Sequence, residues 1–336
     1  MGIVRARRRP DGAAVKVLVT GASGFLGRAT AAAVRDAGHE VRTFQRRPSG
    51  VSGVDDVLGT VTDPDALARA VDRVDAVVHL AAKVSLAGDP DDFRRVNVDG
   101  TRALLDAARA AGTERFVFVS SPSVAHTGTS LAGAPAGPAE PERARGEYAR
   151  TKAAAELLAL AADEPGFAVV AVRPHLVWGP GDTQLVGRIV ERARAGRLPL
   201  LDSGAALIDT LYVDNAASAM VAALDRATDD GVHGSAYVVT NGEPRPVADL
   251  LAGICTASGV PAPRWHVPAG VARVAGSVVE AVWRVRPGQD EPPMTRFLAE
   301  QLSTAHWFDQ RRTRAELRWV PAVSIDEGLA RLAAAR

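Results

Sequence analysis

Cysteine is nearly missing from this chain: Cys255 is the only one among 336 residues. A single thiol excludes an internal disulfide and any metal site built from several cysteines, which is typical of a reducing cytoplasm. Excess charge is missing too, because 40 basic and 39 acidic side chains leave a formal net charge of +1. We therefore expect no general attraction to nucleic acid, and a small-molecule substrate is favoured.

Long apolar runs are also lacking. The least polar later segment, residues 269–285, contains Arg273, Glu280 and Arg284 and falls short of the ~20 apolar residues that a membrane span needs. No grouping of His, Asp and Glu has the spacing of metal ligands, so no metal is predicted.

The first residues are rich in arginine, and no apolar stretch of the secretory kind separates those arginines from the first predicted strand. We interpret residues 1–14 as a flexible basic tail and predict a soluble, cytoplasmic protein.

Continuous apolar runs alternate with helical patterns over the first half of the chain. Continuous runs are typical of strands covered on both faces. The predicted strands are residues 15–20, 41–44, 76–80, 116–120 and 167–172, and the predicted helices are residues 25–37, 64–71, 93–111 and 148–162. This rhythm predicts an α/β fold, a Rossmann-type doubly wound parallel sheet.

The rhythm changes after Pro174, where glycine and proline become frequent and a short strand is predicted near Leu211. We predict an NADP-binding domain over residues 15–174, to which the chain returns later, and a smaller, mainly helical substrate-binding lobe over residues 175–336. Because ligands bind at the carboxyl ends of such strands, this lobe would close one side of the cleft.

A glycine loop follows the first predicted strand. Gly21 permits a tight turn, Gly24 lets the backbone approach a pyrophosphate at the start of a helix, and Gly27 allows the helix to pack closely on the strand. This context predicts dinucleotide binding. The loop residues Ser23, Phe25 and Leu26 are predicted to contribute to it.

The second predicted strand ends without the carboxylate that usually holds the adenosine ribose of NAD. Arg46 and Arg47 stand there instead, and a guanidinium can pair with the 2′-phosphate of NADP. The sequence therefore favours NADP(H), although a solvated surface turn is the alternative.

Tyr148 and Lys152 lie four residues apart in a predicted helix, so they share one face and the ammonium can lie beside the phenol. We expect this neighbour to lower the pKa of Tyr148 toward the range useful for proton transfer. Ser121 closes a predicted strand at the carboxyl edge. We predict that Ser121 binds a substrate carbonyl, Tyr148 donates a proton, and Lys152 holds the phenol and the cofactor ribose.

Together, the glycine loop, the strand-end serine and the Tyr148–Lys152 pair resemble the extended short-chain dehydrogenase/reductase superfamily, and the resemblance covers roughly residues 15–335. Further motifs that carry the resemblance are His79-Leu80-Ala81-Ala82, Asn97-Val98-Asp99-Gly100-Thr101, Arg173-Pro174 and Trp178-Gly179-Pro180. The resemblance implies cofactor contacts from these further positions: Val61, Ala81, Ala82, Lys83, Asn97, Pro174 and His175, besides Tyr148 and Lys152. Thr60 and Ala125 depart from the family's pattern, which leaves the adenine contacts open.

Within that superfamily the chain resembles the 3β-hydroxysteroid dehydrogenase-type branch, and more narrowly the 2-alkyl-3-oxoalkanoate reductases of bacterial long-chain olefin and β-lactone pathways. Local stretches that carry the narrower resemblance are residues 121–124, 173–182, 241–244 and 291–301. It implies NADPH-dependent reduction of a 2-alkyl-3-oxoalkanoic acid to the 3-hydroxy acid, which a partner enzyme of the pathway then closes to a β-lactone. Oligomeric state stays open.

Three features of the sequence have more than one interpretation. Val271, Val274, Ala275, Val278, Val279 and Val282 form a stripe on one helix face; packing inside the lobe is the first interpretation, and an acyl groove, a partner contact or a membrane-surface contact are the others. His175 adjoins the expected nicotinamide site, where it meets a substrate carboxylate or simply packs. Oxidation of a 3β-hydroxysteroid and a non-catalytic dinucleotide sensor are the competing functions.

Overall fold

A computed structural model describes residues 14–85, 88–126, 128–284 and 296–336. Its centre is a seven-stranded parallel sheet in the order β12-β7-β5-β4-β1-β2-β3. The strands of this sheet are β1 (Lys16–Thr20), β2 (Glu40–Gln45), β3 (Asp55–Leu58), β4 (Ala76–His79), β5 (Arg115–Val119), β7 (Ala168–Pro174) and β12 (Ser235–Val239). The predicted doubly wound parallel sheet is confirmed.

Helices cover both faces of this sheet, which is why its central strands are largely apolar, whereas the edge strand β3 carries Asp55 and Asp56. The helices packed around the sheet are α1 (Phe25–Asp36), α2 (Pro64–Val71), α3 (Pro90–Arg94), α4 (Gly100–Ala110), α5 (Glu147–Leu160), α7 (Val213–Arg226) and α11 (Arg311–Glu316). One core lies between the sheet and α1 and α7. The other lies on the opposite face, beneath α2, α4 and α5.

The predicted helix over residues 93–111 is wrong in its details. The chain forms α3 first, then a π-helical turn over Arg95–Asp99, and only then α4. Asn97 lies in that turn and is buried. A π-helical turn widens the helix by one residue and is frequent at functional sites, and here it directs Asn97 toward the segment that follows β4.

A second unit carries short strands and further helices. Its strands are β6 (Leu131–Ala134), β8 (Val177–Trp178), β9 (Leu200–Leu201), β10 (Leu207–Ile208), β11 (Leu211–Tyr212), β13 (Arg245–Pro246), β14 (His266–Val267) and β15 (His306–Phe308). Its helices are α6 (Val186–Arg194), α8 (Val247–Ala257), α9 (Ala269–Arg284), α10 (Arg296–Ser303) and α12 (Ile325–Ala334). Cys255 is buried in the core of this lobe.

Neither unit is continuous along the chain. After Pro174 the chain returns to the central sheet, where β12 pairs with β7 and α7 packs on α1. Conversely, β6 precedes Pro174 but joins the lobe in a sheet of order β13-β10-β15-β6. Residues 1–13 of the predicted basic tail, and residues 291–295 of the last family-like stretch, lie outside the described residues.

Five of the six residues in the valine stripe on α9 are exposed and Val279 is half-buried, so the interpretation of the stripe as lobe core is wrong. Small residues, among them Ala269 and Ala272, face inward instead. Within the described part of the chain, no helix is long and apolar enough to cross a membrane.

Candidate active site

The glycine loop connects β1 to α1 and leaves no room for side chains. Gly21 has a φ of +74°, and a Cβ there would lie 2.9 Å from the backbone nitrogen of Ala81. A Cβ on Gly27 would lie 2.2 Å from the carbonyl oxygen of Gly21. Gly24 precedes α1 without a side-chain cap, and the first turn holds no acid. The first N–H groups of α1 therefore suit a pyrophosphate, and the loop fits a dinucleotide.

A chain of neutral hydrogen bonds holds this loop against its neighbours. Thr20 Oγ1 accepts the N–H of Ala81 at 3.0 Å and lies 2.8 Å from Nδ1 of His79. Nε2 of His79 lies 3.1 Å from Thr101 Oγ1, which donates to the carbonyl of Asn97 at 2.7 Å. A neutral imidazole with its proton on Nε2 satisfies every partner, and burial lowers the pKa of His79 to about 3.

Asn97 positions two parts of the site. Its Oδ1 accepts the N–H of Lys83 at 2.7 Å, and its Nδ2 donates to the Lys83 carbonyl at 3.1 Å and to Thr151 Oγ1 at 3.0 Å. Both amide protons are thus used within the protein, which leaves only a lone pair of Oδ1 for the predicted cofactor contact. The Lys83 ammonium pairs with Asp92 at 3.0 Å, so its charge is already partnered within the protein.

The turn after β2 carries the two predicted phosphate-binding arginines. Arg46 and Arg47 are both exposed there. Sequence reasoning missed a carboxylate nearby on β3: Asp56 accepts Gln45 Nε2 at 3.0 Å and the N–H of Ser49 at 3.1 Å. Asp56 is exposed, and through these hydrogen bonds it shapes the turn that presents the two guanidinium groups.

Most of the other predicted cofactor residues follow the carboxyl ends of strands. Val61 comes after β3, Ala81 and Ala82 come after β4, and Pro174 ends β7. Ser23 in the loop and Phe25 and Leu26 at the start of α1 are partly buried. Carboxyl ends of parallel strands meet at one edge of a sheet, so these residues share the edge at which the glycine loop lies.

Ser121 stands at this same edge, just after β5, and starts a short 3₁₀ turn over Pro122–Ala125. Its Oγ accepts the hydroxyl of Ser123 at 3.0 Å and the N–H of Ser123 at 3.3 Å. Because these contacts use lone pairs, the proton of Ser121 is left to donate outward. A substrate carbonyl is a suitable acceptor.

Tyr148 and Lys152 occupy the first two turns of α5. Nζ of Lys152 donates to the carbonyl of Val119 at 2.6 Å and lies 4.0 Å from the Phe118 ring centroid. Burial lowers the pKa of Lys152 to about 7.

The expected lowering of the Tyr148 pKa is wrong for this arrangement, because burial raises it to about 12. Lys152 directs its amine toward Val119 rather than stabilising a phenolate. Tyr148 is consequently a protonated phenol at neutral pH.

A buried ion pair that the sequence did not predict fixes α5, the helix that carries Tyr148 and Lys152. Arg173 on β7 contacts both carboxylate oxygens of Glu156, one turn after Lys152, with Nε to Oε2 at 2.9 Å. Arg173 also donates to the Gly137 carbonyl at 2.6 Å. Bidentate pairs of this kind set orientation as well as proximity, so α5 is held against β7.

Three histidines far apart in sequence meet beside the serine segment. His126 follows the short turn that Ser121 starts, and its Nε2 lies 3.0 Å from Nε2 of His306 on β15. His175 follows β7, with its ring centroid 6.2 Å from that of His306. The sequence held no motif for this cluster, because the pairing of β15 with β6 and β10 brings it together.

Burial favours the neutral form of two members of this cluster, His126 and His175. It lowers the pKa of His175 to about 4 and lowers that of His126. Nδ1 of His175 lies 2.7 Å from the Asp209 carbonyl, and burial raises the pKa of the Asp209 carboxyl to about 6. Among the described residues, no group of three or more His, Cys, Asp or Glu side chains is arranged to hold a metal.

Comparison with family models matches residues 17–240 to the NAD-dependent epimerase/dehydratase family. A 2-alkyl-3-oxoalkanoate reductase of Stenotrophomonas maltophilia is 42% identical over 326 residues, which cover 95% of this chain and 99% of that protein. A 3β-hydroxysteroid dehydrogenase/Δ5→4-isomerase of Mycobacterium tuberculosis is 31% identical, over 94% of this chain and 88% of that protein.

Among solved structures, a short-chain dehydrogenase/reductase superfamily protein of Agrobacterium tumefaciens with bound NAD superposes with a TM-score of 0.71. It is 26% identical, and the match covers 96% of this chain and 97% of that one.

Proposed function

Because the chain belongs to the NAD-dependent epimerase/dehydratase family of short-chain dehydrogenases/reductases and is an NAD(P)-dependent oxidoreductase, we propose that it reduces a 2-alkyl-3-oxoalkanoic acid to the 2-alkyl-3-hydroxyalkanoic acid with NADPH. The similarity to the Stenotrophomonas reductase over nearly the whole of both chains supports this substrate class.

One observation supports reduction as the direction of the reaction: Ser121 and Tyr148 can both donate a proton. Ser121 accepts its local hydrogen bonds, and burial keeps Tyr148 protonated. Reduction of a ketone creates an alkoxide that needs a proton, whereas oxidation of an alcohol needs a base. The arrangement therefore favours reduction.

Each residue then has one task. When bound, the nicotinamide cofactor supplies the hydride. Ser121 binds the ketone oxygen, and Tyr148 delivers its proton to the oxygen as negative charge develops there. Lys152 lies one turn along α5 from Tyr148, and its pKa of about 7 lets it return a proton to the phenol after turnover.

The preference for NADPH rests on Arg46 and Arg47. Both are exposed on the turn after β2, and the nearby Asp56 carboxylate accepts hydrogen bonds from Gln45 and Ser49. A 2′-phosphate would pair with the guanidinium groups.

The histidine cluster supports an acidic substrate. His126 and His175 lie beside the serine segment at the edge where the ketone would bind. In the neutral rings, Nδ1–H of His175 already donates to the Asp209 carbonyl and Nε2–H of His126 to the Thr129 carbonyl, so a carboxylate would be bound by the protonated rings, and its negative charge favours that protonation. The free acid, two carbons from the ketone, is thus a better ligand than a neutral ester.

Initial rates of NADPH and NADH consumption with 2-alkyl-3-oxo acids test the proposal, with the corresponding methyl esters as a matched series. We expect turnover with NADPH, higher kcat/KM for the acid than for its ester, and a slower rate with NADH. Steady turnover of neither acid nor ester would refute the reductase.

Oxidation of a 3β-hydroxysteroid is the second candidate, since the Mycobacterium tuberculosis protein of that name is 31% identical. Incubation of a sterol panel with NAD⁺ and NADP⁺ decides between them. Faster oxidation of a sterol than reduction of any keto acid would replace the first proposal by the second.

A further inference from the structure

Helix α9 presents an apolar face to solvent. Val271, Val274, Val278 and Val282 are 58%, 67%, 59% and 41% exposed, and we call these four side chains the valine face. They recur at helical spacing, so they form one continuous strip. Isolated exposed valines are ordinary on a protein surface, whereas a continuous strip marks a contact with an apolar partner.

An exposed tryptophan and two exposed arginines belong to the same segment of the chain as the valine face. Trp265, 46% exposed, precedes β14. The carboxylate of Asp202 accepts the N–H of Ala269 at 2.8 Å, which ties the β9–β14 pair to the start of α9. Arg264 and Arg273 are also exposed. Tryptophan and arginine beside an apolar strip are typical of helices that lie in the headgroup region of a membrane.

Two other occupants fit the surface less well. A stable dimer takes roughly 20–30 residues from each side, and the valine face with Trp265 offers five. The chain after α9 is the other candidate, but residues 285–295 contain only two large apolar residues, Val285 and Met294, among proline, glycine and charged residues. Neither supplies a matching apolar surface.

We propose that the valine face and Trp265 bind the surface of an anionic lipid bilayer, with α9 lying in the membrane plane. Arg264 and Arg273 then meet lipid phosphates. Two local cations suffice for this although the whole chain is almost neutral, because attraction to a charged surface acts within about 10 Å at ordinary ionic strength. This surface is independent of the proposed reaction and survives its failure.

Co-sedimentation of the full chain with vesicles tests the proposal. We expect binding to phosphatidylglycerol–phosphatidylcholine vesicles, weaker binding to phosphatidylcholine alone, and weakening by salt. The double variant Val274→Glu/Val278→Glu should lower the partition coefficient at least about tenfold, since it removes two apolar side chains and adds two like charges. Val320→Glu is the matched control, because Val320 is 65% exposed outside the lobe's helices, and it should bind as the wild type does.

Light scattering and melting temperature complete the test. The double variant should remain folded and keep its NADPH affinity, because the replaced side chains face solvent. Wild type that fails to sediment with anionic vesicles overturns the proposal. So does a wild-type dimer that the double variant dissociates, which would assign the face to a second copy of the chain.

Discussion

The two halves of the sheet's carboxyl edge are built differently. On the cofactor side, at the ends of β1 and β4, steric exclusion at Gly21 and Gly27 and a relay of neutral hydrogen bonds through His79 determine the geometry. On the other side, at the ends of β5 and β7, the buried groups are ionisable: Tyr148, Lys152 and His175.

This difference matches the demands of the two ligands. A dinucleotide needs a constant shape that accepts phosphates, and groups that stay neutral at physiological pH provide it, since burial lowers the pKa of His79 to about 3. Proton transfer to a substrate needs groups whose protonation can change, and burial brings the pKa of Lys152 to about 7, where its amine can gain or lose a proton. Variants on the two sides should therefore alter different measurements.

The largest effect is expected on the substrate side. Tyr148→Phe removes the proton donor and should lower kcat by about 10²–10⁴-fold, since general acid catalysis contributes that much. NADPH affinity, measured by fluorescence titration, should stay within about twofold because the phenol acts mainly in the transition state. A variant that keeps half of the wild-type rate would remove Tyr148 from its role.

On the cofactor side, we expect acid to destabilise the fold by favouring the protonated form of His79. Burial lowers the pKa of His79 from its ordinary 6.5 to about 3 in the folded protein. Between pH 3 and pH 6.5, His79 is therefore protonated in the unfolded chain but neutral in the folded chain. The free energy of unfolding is therefore highest above pH 6.5 with respect to this group, and it decreases as the pH falls toward 3, by at most ~5 kcal/mol.

His79→Gln should be less stable than wild type at pH 7.5 but show a flatter decline in urea midpoint from pH 6.5 to pH 4. The exposed His266 provides the control, and His266→Gln should keep the wild-type slope. Equal slopes in all three proteins would show that His79 is not the acid-sensitive group.

Gly27→Ala tests whether steric exclusion determines the geometry of the cofactor side. Its Cβ would lie 2.2 Å from the Gly21 oxygen, so the loop must shift, and overpacking of this kind costs about 1–3 kcal/mol. We expect dinucleotide affinity to fall about 10- to 100-fold. Gly270 on α9 has open space around it, and Gly270→Ala should bind the cofactor as wild type does. Unchanged affinity in Gly27→Ala would contradict the predicted cradle.

Asp209 should respond to pH in the direction opposite to His79. Burial raises its pKa from 3.8 to about 6, so the folded chain holds a proton that the unfolded chain has lost, and stability falls as the pH rises through 6. Asp209→Asn, whose amide can still pair with Thr240, should be more stable than wild type at pH 8, by at most ~3 kcal/mol, but not at pH 4.

Asp106 is exposed on α4, and Asp106→Asn is the control, with melting temperature as the readout. A stability gain for Asp209→Asn that is the same at pH 4 and pH 8 would show that the Asp209 charge is not its cause.

The smallest effect is expected at the adenosine end of the cofactor site. Arg46→Ala or Arg47→Ala should weaken NADPH binding roughly tenfold and barely change NADH binding, since a charge-assisted contact to phosphate contributes on the order of 1.5–3 kcal/mol. Arg69 is exposed on the last turn of α2, and Arg69→Ala should alter neither. Equal wild-type affinity for the two cofactors would contradict the NADPH preference.

Local patterns predicted the parallel sheet well, and they placed the glycine loop between its first strand and first helix. Apolar runs such as residues 116–120, and the Gly21, Gly24 and Gly27 spacing, depend on backbone geometry over a few residues, which sequence displays directly. The π-helical turn at Asn97 was not predictable in this way, because its hydrogen bonds reach Lys83 and Thr151.

Exposure and charge state were the weakest predictions for the same reason. The helical period of the valines on α9 is visible in sequence, but a period does not tell which side of a helix faces the core, and the small residues Ala269 and Ala272 take that side. The pKa of Tyr148 likewise follows from how deeply α5 is buried, not from the four-residue spacing to Lys152.

The sequence by itself determined the parallel α/β fold, the glycine loop and the residue types of the proposed catalytic trio, because each depends on short-range spacing. Only the tertiary structure decided which groups surround that trio. Packing of β15 beside β6 brought His306 to His126, and packing of β7 beside α5 brought Arg173 to Glu156. Such contacts join residues from distant parts of the chain, and burial then sets the protonation state of each group.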